Sequence, residues 1–148
     1  MTARDDAYRI ALEFNVLADS VPAEMSKLVT YWANMGLARV KKNANSANHR
    51  PGLPHIGSYT GEGPNRATGN YTRTMNIEYS HGGGGSYDRT AVIGTNAVQA
   101  RRLEFGFVGV DSLGRHYDVS PLPHWGPMAD WLEPRFYEAC ELLVARIA

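Results

Sequence analysis

The apolar residues change period along the chain, and the changes mark its elements. Tyr8, Ile10, Leu12, Phe14 and Val16 stand at every second position, with Arg9, Ala11, Glu13 and Asn15 between them. Period 2 predicts a half-buried strand. Asp19, Ser20 and Pro22 then supply a helix start, because Ser and Asp cap and Pro suits a first turn. Met25, Leu28, Val29, Trp32, Met35, Gly36 and Val40 follow helical spacing. Arg39, Lys41 and Lys42 come where the helix macrodipole favours cations. The spacing predicts a helix over 22–43.

Residues 43–67 show no period and are rich in Asn, Gly and Pro. A structureless loop of this length in a compact domain is usually functional or mobile. Tyr71, Thr72, Met75, Ile77 and Tyr79 predict a second strand, and Tyr87 to Ile93 a third. The segment 81–86 between them holds four consecutive glycines and reads as a hairpin tip. Asn96 is placed to cap a short helix over 97–105, which Gly106 ends. Within that helix one face is expected to bury Val98 and Leu103 while the other presents Arg101. Phe107, Val108 and Val110 run to Asp111-Ser112-Leu113-Gly114 and return through Tyr117 and Val119, a second, smaller hairpin.

Pro121, Pro123 and Pro127 then exclude regular structure. Leu132, Phe136, Cys140, Leu143 and Ile147 share one face of a last helix. Pro134 falls in its first turn, or kinks it if the helix starts near Met128. The element order predicts an α+β fold: an antiparallel sheet with a long N-terminal helix and a C-terminal amphipathic helix packed on it. No internal repeat is visible, and residues 1–148 read as a single domain.

Composition narrows the function classes. A chain of 148 residues can bury a core without metal or disulfide support. Lys+Arg and Asp+Glu are 15 each, so the net charge is zero. Balance argues against a dedicated nucleic-acid binder and favours association. Cys140 is alone, which excludes a disulfide within the chain and a cysteine-based zinc site. No apolar run is long enough to span a membrane, and Met1 to Tyr8 lack the apolar core of a signal peptide. Assembly in a cytoplasm is the expectation.

Candidate chemistry is sparse. His49, His55, His81, His116 and His124 form no ligand spacing, and solvated or locally bonded rings are the plain reading. The Gly-rich stretch from Gly61 to Gly69 lacks the Lys and the following helix of a phosphate loop. There is no nucleophile elbow, and Cys140 reads as a structural thiol on an apolar helix face. No catalytic residue, metal or cofactor is therefore expected. A hydrolase built on the histidines or on the loop carboxylate Glu62 is a minor reading.

Two segments stand out. From 39 to 73, Arg39, Lys41, Lys42, Arg50, Arg66 and Arg73 are cationic and only Glu62 is acidic. Such a stretch suits phosphate contact, and a small nucleic-acid-binding module is one alternative it allows. Arg101-Arg102-Leu103-Glu104-Phe105-Gly106 puts three charges beside two apolar residues. Intrachain ion pairs would account for it. A subunit interface is the sharper reading, because Arg and aromatic groups are enriched where partners dock.

Three blocks together resemble a known family. They are Arg66-Ala67-Thr68-Gly69-Asn70-Tyr71-Thr72-Arg73-Thr74, then Ile93-Gly94-Thr95-Asn96 with Gln99 to Gly106, then Pro121-Leu122-Pro123-His124-Trp125 before the last helix. Their order and spacing are similar to the neck, or tail-completion, proteins of long-tailed phages, over roughly residues 22–148. The resemblance departs at Gln99, where the family often has an aromatic, in the Pro-rich block, and in the longer loop before Thr68.

The resemblance implies a non-enzymatic subunit of the virion's head–tail junction. Its partners would be copies of itself in a ring, the adjacent connector or stopper, and tail tube or terminator proteins. Sixfold symmetry is the family's pattern. DNA would pass nearby without sequence-specific binding, and no membrane is involved. The tail terminator ring of the same junction is the alternative within this class. Arg101, Arg102, Glu104 and Phe105, with Thr68 and Gly69 of the first block, become candidate subunit contacts. Arg50, Arg66 and Arg73 become candidate channel or neighbour contacts.

Overall fold

The computed structural model describes residues 22–45, 69–81 and 89–147. The strand expected over 8–16, most of the 43–67 loop and the glycine-rich tip lie outside the described residues. The elements are α1 (Pro22–Asn43), α2 (Asn70–Arg73), β1 (Asn76–His81), β2 (Arg89–Gly94), α3 (Gln99–Phe105), β3 (Phe107–Val110), β4 (His116–Val119) and α4 (Trp125–Ile147). The fold is mixed α+β, with two antiparallel hairpins, β1–β2 and β3–β4, and a long helix near each end.

Helix α1 has the bounds its spacing predicts. Its buried positions are Met25, Val29, Ala33, Gly36 and Val40, continued by Ala44 just past its end, separated by threes and fours. That stripe meets α4 and the β1–β2 hairpin. Gly36 is where they come closest: a Cβ there would lie 2.6 Å from Ile93 Cδ1 and 2.7 Å from Leu132 Cδ2. Ile93, Met128 and Leu132 are fully buried around it, with Trp125 and Phe136 in the same cluster. In the hairpin Ile77 faces Ile93 and Tyr79 faces Ala91. Ala91 and Ile93 point to the helices, while Glu78 and Ser80 stay exposed. The alternation of inward and outward side chains is that of a sheet with one wet face.

Three local expectations are corrected. Tyr71 and Thr72 do not extend the strand; Asn70–Arg73 is a helical turn, and β1 begins at Asn76. Thr72 Oγ1 donates to Gly69 O, Thr74 Oγ1 donates to Tyr71 O, and Arg73 donates to Asn70. Such local side-chain bonds compete with extended pairing. Asn96 does not cap α3, which starts at Gln99. Instead Thr95 Oγ1, 2.6 Å from Thr74 Oγ1, accepts the Ala97 N–H. The last helix begins at Trp125, earlier than the prolines suggest. Pro127 sits in its first turn, where no intrahelical N–H is needed. Pro134 lies inside the helix and is exposed.

The β3–β4 hairpin follows the sequence closely. Asp111 accepts the backbone N–H groups of Leu113 and Arg115, the Arg115 Nε–H and the Tyr117 O–H. The Arg115 backbone bond leads in holding this carboxyl below its ordinary range. The hairpin leaves α3 at Gly106, whose φ of 76° and ψ of 170° only glycine adopts readily. A Cβ there would lie 2.6 Å from the Val119 carbonyl oxygen. Gly106→Ala is expected to cost about 2–3 kcal/mol, from backbone strain together with the clash. The measurement is the urea midpoint, and a variant as stable as the parent would mean the α3–β3 turn is built otherwise.

Candidate functional site

The last helix starts without a capping residue of its own. The N-cap position is His124, and no Ser, Thr, Asp or Asn lies within the Pro121–Trp125 approach. Four N–H positions at a helix start need partners outside the helix. Here the carboxylate of Glu104, on α3, takes three of them. Its Oε2 accepts from His124 N at 2.8 Å and Trp125 N at 3.0 Å, and its Oε1 accepts from Gly126 N at 2.8 Å. The fourth position is Pro127, which has no N–H to satisfy.

Glu104 is 7% exposed. Burial alone would raise its pKa. The His124 side chain and the three backbone donors outweigh that and hold it at about 2. The carboxylate is therefore ionised at neutral pH, and its charge meets the positive end of the α4 macrodipole.

A polar chain extends from this cap. His124 Nδ1 lies 2.8 Å from the Leu122 carbonyl, so Nδ1 carries the proton and donates. The same nitrogen is 3.1 Å from Glu104 Oε2. The other ring nitrogen, Nε2, is 2.6 Å from the Tyr71 hydroxyl, which donates to it. Tyr71 Oη also accepts the Trp125 indole N–H at 3.0 Å. Asn43 Nδ2, at the end of α1, donates to the His124 carbonyl at 3.1 Å. Burial, opposed by the indole and reinforced by the Glu104 charge, raises the Tyr71 pKa, and the phenol stays protonated. His124 is fully buried, and Glu104, Tyr71 and Trp125 have every polar side-chain atom engaged. A closed network of this kind fixes positions.

What it fixes is the segment from α3 through the second hairpin. Leu122 N also donates to Leu103 O at 2.7 Å, closing the loop at its base. Beyond that base the segment has no extensive contact with another element among the described residues. The segment exposes several large apolar side chains: Val98 is 68% exposed, Phe105 60%, Val108 79% and Leu113 75%, and Val110 is exposed with them. On α3, Val98, Arg101, Arg102 and Phe105 stand at i, i+3, i+4 and i+7, which is one face. The Arg102 guanidinium lies 4.2 Å over the Phe107 ring. Val98 thus faces solvent, not the core as the sequence suggested; Ala100 and Glu104 are the buried pair on α3.

The expected contact residues separate accordingly. Arg101, Arg102 and Phe105 are exposed together on α3. Glu104 is not available to a neighbour, because α4 holds its carboxylate; this corrects its assignment as a subunit contact. Gly69 is buried at the start of α2, and Arg73 is exposed and bonded to Asn70. Thr68, Arg50 and Arg66 lie outside the described residues. Sequence reasoning missed the Tyr71–His124–Trp125 chain. The one available signal was negative: a helix start lacking its own cap needs an acceptor from elsewhere.

Comparison with protein-family models, with curated proteins and with solved structures found no match to this chain. Among the described residues no group of three or more His, Cys, Asp or Glu is placed to hold a metal ion. Nor is any described helix long and apolar enough to cross a membrane. Cys140 is half-buried, and burial pushes its thiol up, away from the reactive thiolate.

Proposed function

We propose that this chain is a structural subunit of a phage neck, forming a ring that completes the tail and joins it to the DNA-filled head. The observation that carries the reading is where the three resembling blocks meet. Tyr71 of the first, Glu104 of the second, and His124 and Trp125 of the third join in one buried network. Thr74 and Thr95 add a further bond between the first two blocks. Residues apart in sequence therefore form a single device, and it anchors a segment that exposes several large apolar side chains. Five of the ten exposed large hydrophobics among the described residues fall between Val98 and Leu113, which suits a surface that another protein covers.

Function then follows from mechanics. A ring part must present its docking face at a fixed angle through DNA passage. The Glu104 cap ties α3 to α4, and α4 packs along α1. Load on α3 is thus passed to the two long helices.

Electron cryomicroscopy of particles assembled with this chain is the test. A ring of its density at the head–tail junction is expected; particles lacking the chain overturn the reading, and density capping the tail tube alone makes it the terminator. The variant Arg102→Glu should fold, losing about 1 kcal/mol with the cation–π contact. It should nevertheless leave filled heads and tails unjoined when it replaces the parent chain. Joined particles at parental yield would remove Arg102 from the interface.

A further inference from the structure

Two exposed faces of this chain are complementary to each other. The α3 face carries Val98, Arg101, Arg102 and Phe105, two cations between two apolar groups. The outer face of α4 carries Asp130, Glu133, Tyr137, Glu141 and Val144, separated by three, four, four and three residues. That spacing keeps them on one stripe. All five are exposed, Tyr137 and Val144 each to 59%. This stripe points away from the one formed by Met128, Leu132, Phe136 and Leu143, which packs into the core or is buried. Among the described residues, none of Arg101, Asp130, Glu133 and Glu141 forms an ion pair. The two stripes therefore have opposite charge and similar apolar content. Arg102 lies over Phe107 and Tyr137 packs edge-on against Phe136, but neither stripe's charges are neutralised by an ion pair among the described residues.

We infer that α3 of one copy docks on the outer stripe of α4 of the next. The partner is a second copy because the complement to each face is present on this same chain. The inference rests on the ring reading only in taking the partner to be a copy. The two faces differ, so the contact is head-to-tail, and repetition of such a contact generates rings or filaments. Arg101 and Arg102 meet the carboxylates, and Phe105 and Val98 cover the Tyr137 and Val144 side chains. The charges set register and suppress other pairings, while the apolar groups supply the burial.

Charge reversal tests this directly. Arg101→Glu/Arg102→Glu and Glu133→Lys/Glu141→Lys are made separately, and the mass of each in solution is followed with concentration by sedimentation velocity. Each variant alone puts like charges across the contact and should self-associate at least about 100-fold more weakly than the parent. An equimolar mixture restores opposite charges at every contact and should recover the parental oligomer. The parental oligomer should also weaken with added salt. Circular dichroism melts confirm that both variants fold.

Variants that keep the parental oligomer, or a mixture that stays dissociated, overturn the docking assignment. So does a parent chain that remains monomeric up to its solubility limit. The ring reading is judged separately, by the position of the chain in the particle, so it can survive the loss of this contact or fall while the contact stands.

Discussion

Glu104→Gln is expected to destabilise the protein by about 3 kcal/mol, more than any surface substitution should. The carboxylate accepts three backbone N–H groups at the start of α4 and is 7% exposed. A Gln side chain keeps one acceptor oxygen and turns an NH2 toward donors. At least one helix N–H is then buried without a partner, which costs roughly 1–3 kcal/mol, and the bonds that remain lose their charge assistance. The same residue predicts a pH dependence. Its pKa falls from an ordinary 4.5 to about 2 on folding. A depressed carboxyl contributes stability that is complete above the unfolded value and lost as pH falls toward the folded one. Between pH 5 and pH 2 the parent should therefore lose about 3 kcal/mol through this group. Urea melts of parent and variant across that range are the measurement. The two stabilities should converge in acid; parallel curves would show that the cap contributes little.

Trp125→Ala should cost about 3–5 kcal/mol, the range for removing a large buried aromatic side chain. Trp125 is the largest of the fully buried side chains, and it sits between the helices and the polar chain. Truncation opens a cavity and also removes the N–H that Tyr71 accepts. Trp125→Phe separates the two effects. It keeps most of the apolar volume and leaves the Tyr71–His124 bond in place, so about 1–2 kcal/mol is expected. Thermal melts distinguish them. Equal losses in the two variants would mean that the hydrogen bond, not the packing, dominates. The Ala variant should also loosen the hairpin, seen as faster amide exchange from Val108 to Val119, because the cavity opens beside the two backbone N–H groups, at 124 and 125, that bind Glu104 and so hold α3.

Both results bear on how the exposed segment is held. A two-stranded hairpin is marginal in water without further packing. β1–β2 has α1 across one face, whereas among the described residues β3–β4 has no extensive contact with a helix and relies on its base. The Leu122–Leu103 bond, the Gly106 corner and the Glu104 cap constrain that base at three points, and the Asp111 turn fixes the tip. A docking surface set on such a base reaches its partner with little ordering left to do, which lowers the entropic cost of association.

The sequence alone specifies the elements whose signal is local. The α1 stripe from Met25 to Val40 needs only the helical period, and the Asp111–Gly114 turn needs only its own side chains. The end of α3 needs only glycine at Gly106. The mixed α+β class followed from these. What it could not determine was anything settled between distant residues. Tyr71 reads as a strand residue by alternation, yet its hydroxyl binds His124 and Trp125, and the Asn and Thr around it prefer a turn. The prolines after Ser120 read as a break, yet α4 begins among them because Glu104 supplies the cap they lack. Arg101, Arg102 and Glu104 read as one charged cluster. Only the tertiary structure divides it, turning Glu104 inward to a helix start twenty residues on and leaving the two arginines to solvent. Period and turn chemistry act over a few residues, so they are written in the chain. Which polar group meets which across the core depends on where the long helices bring them, and that is decided only when the chain folds.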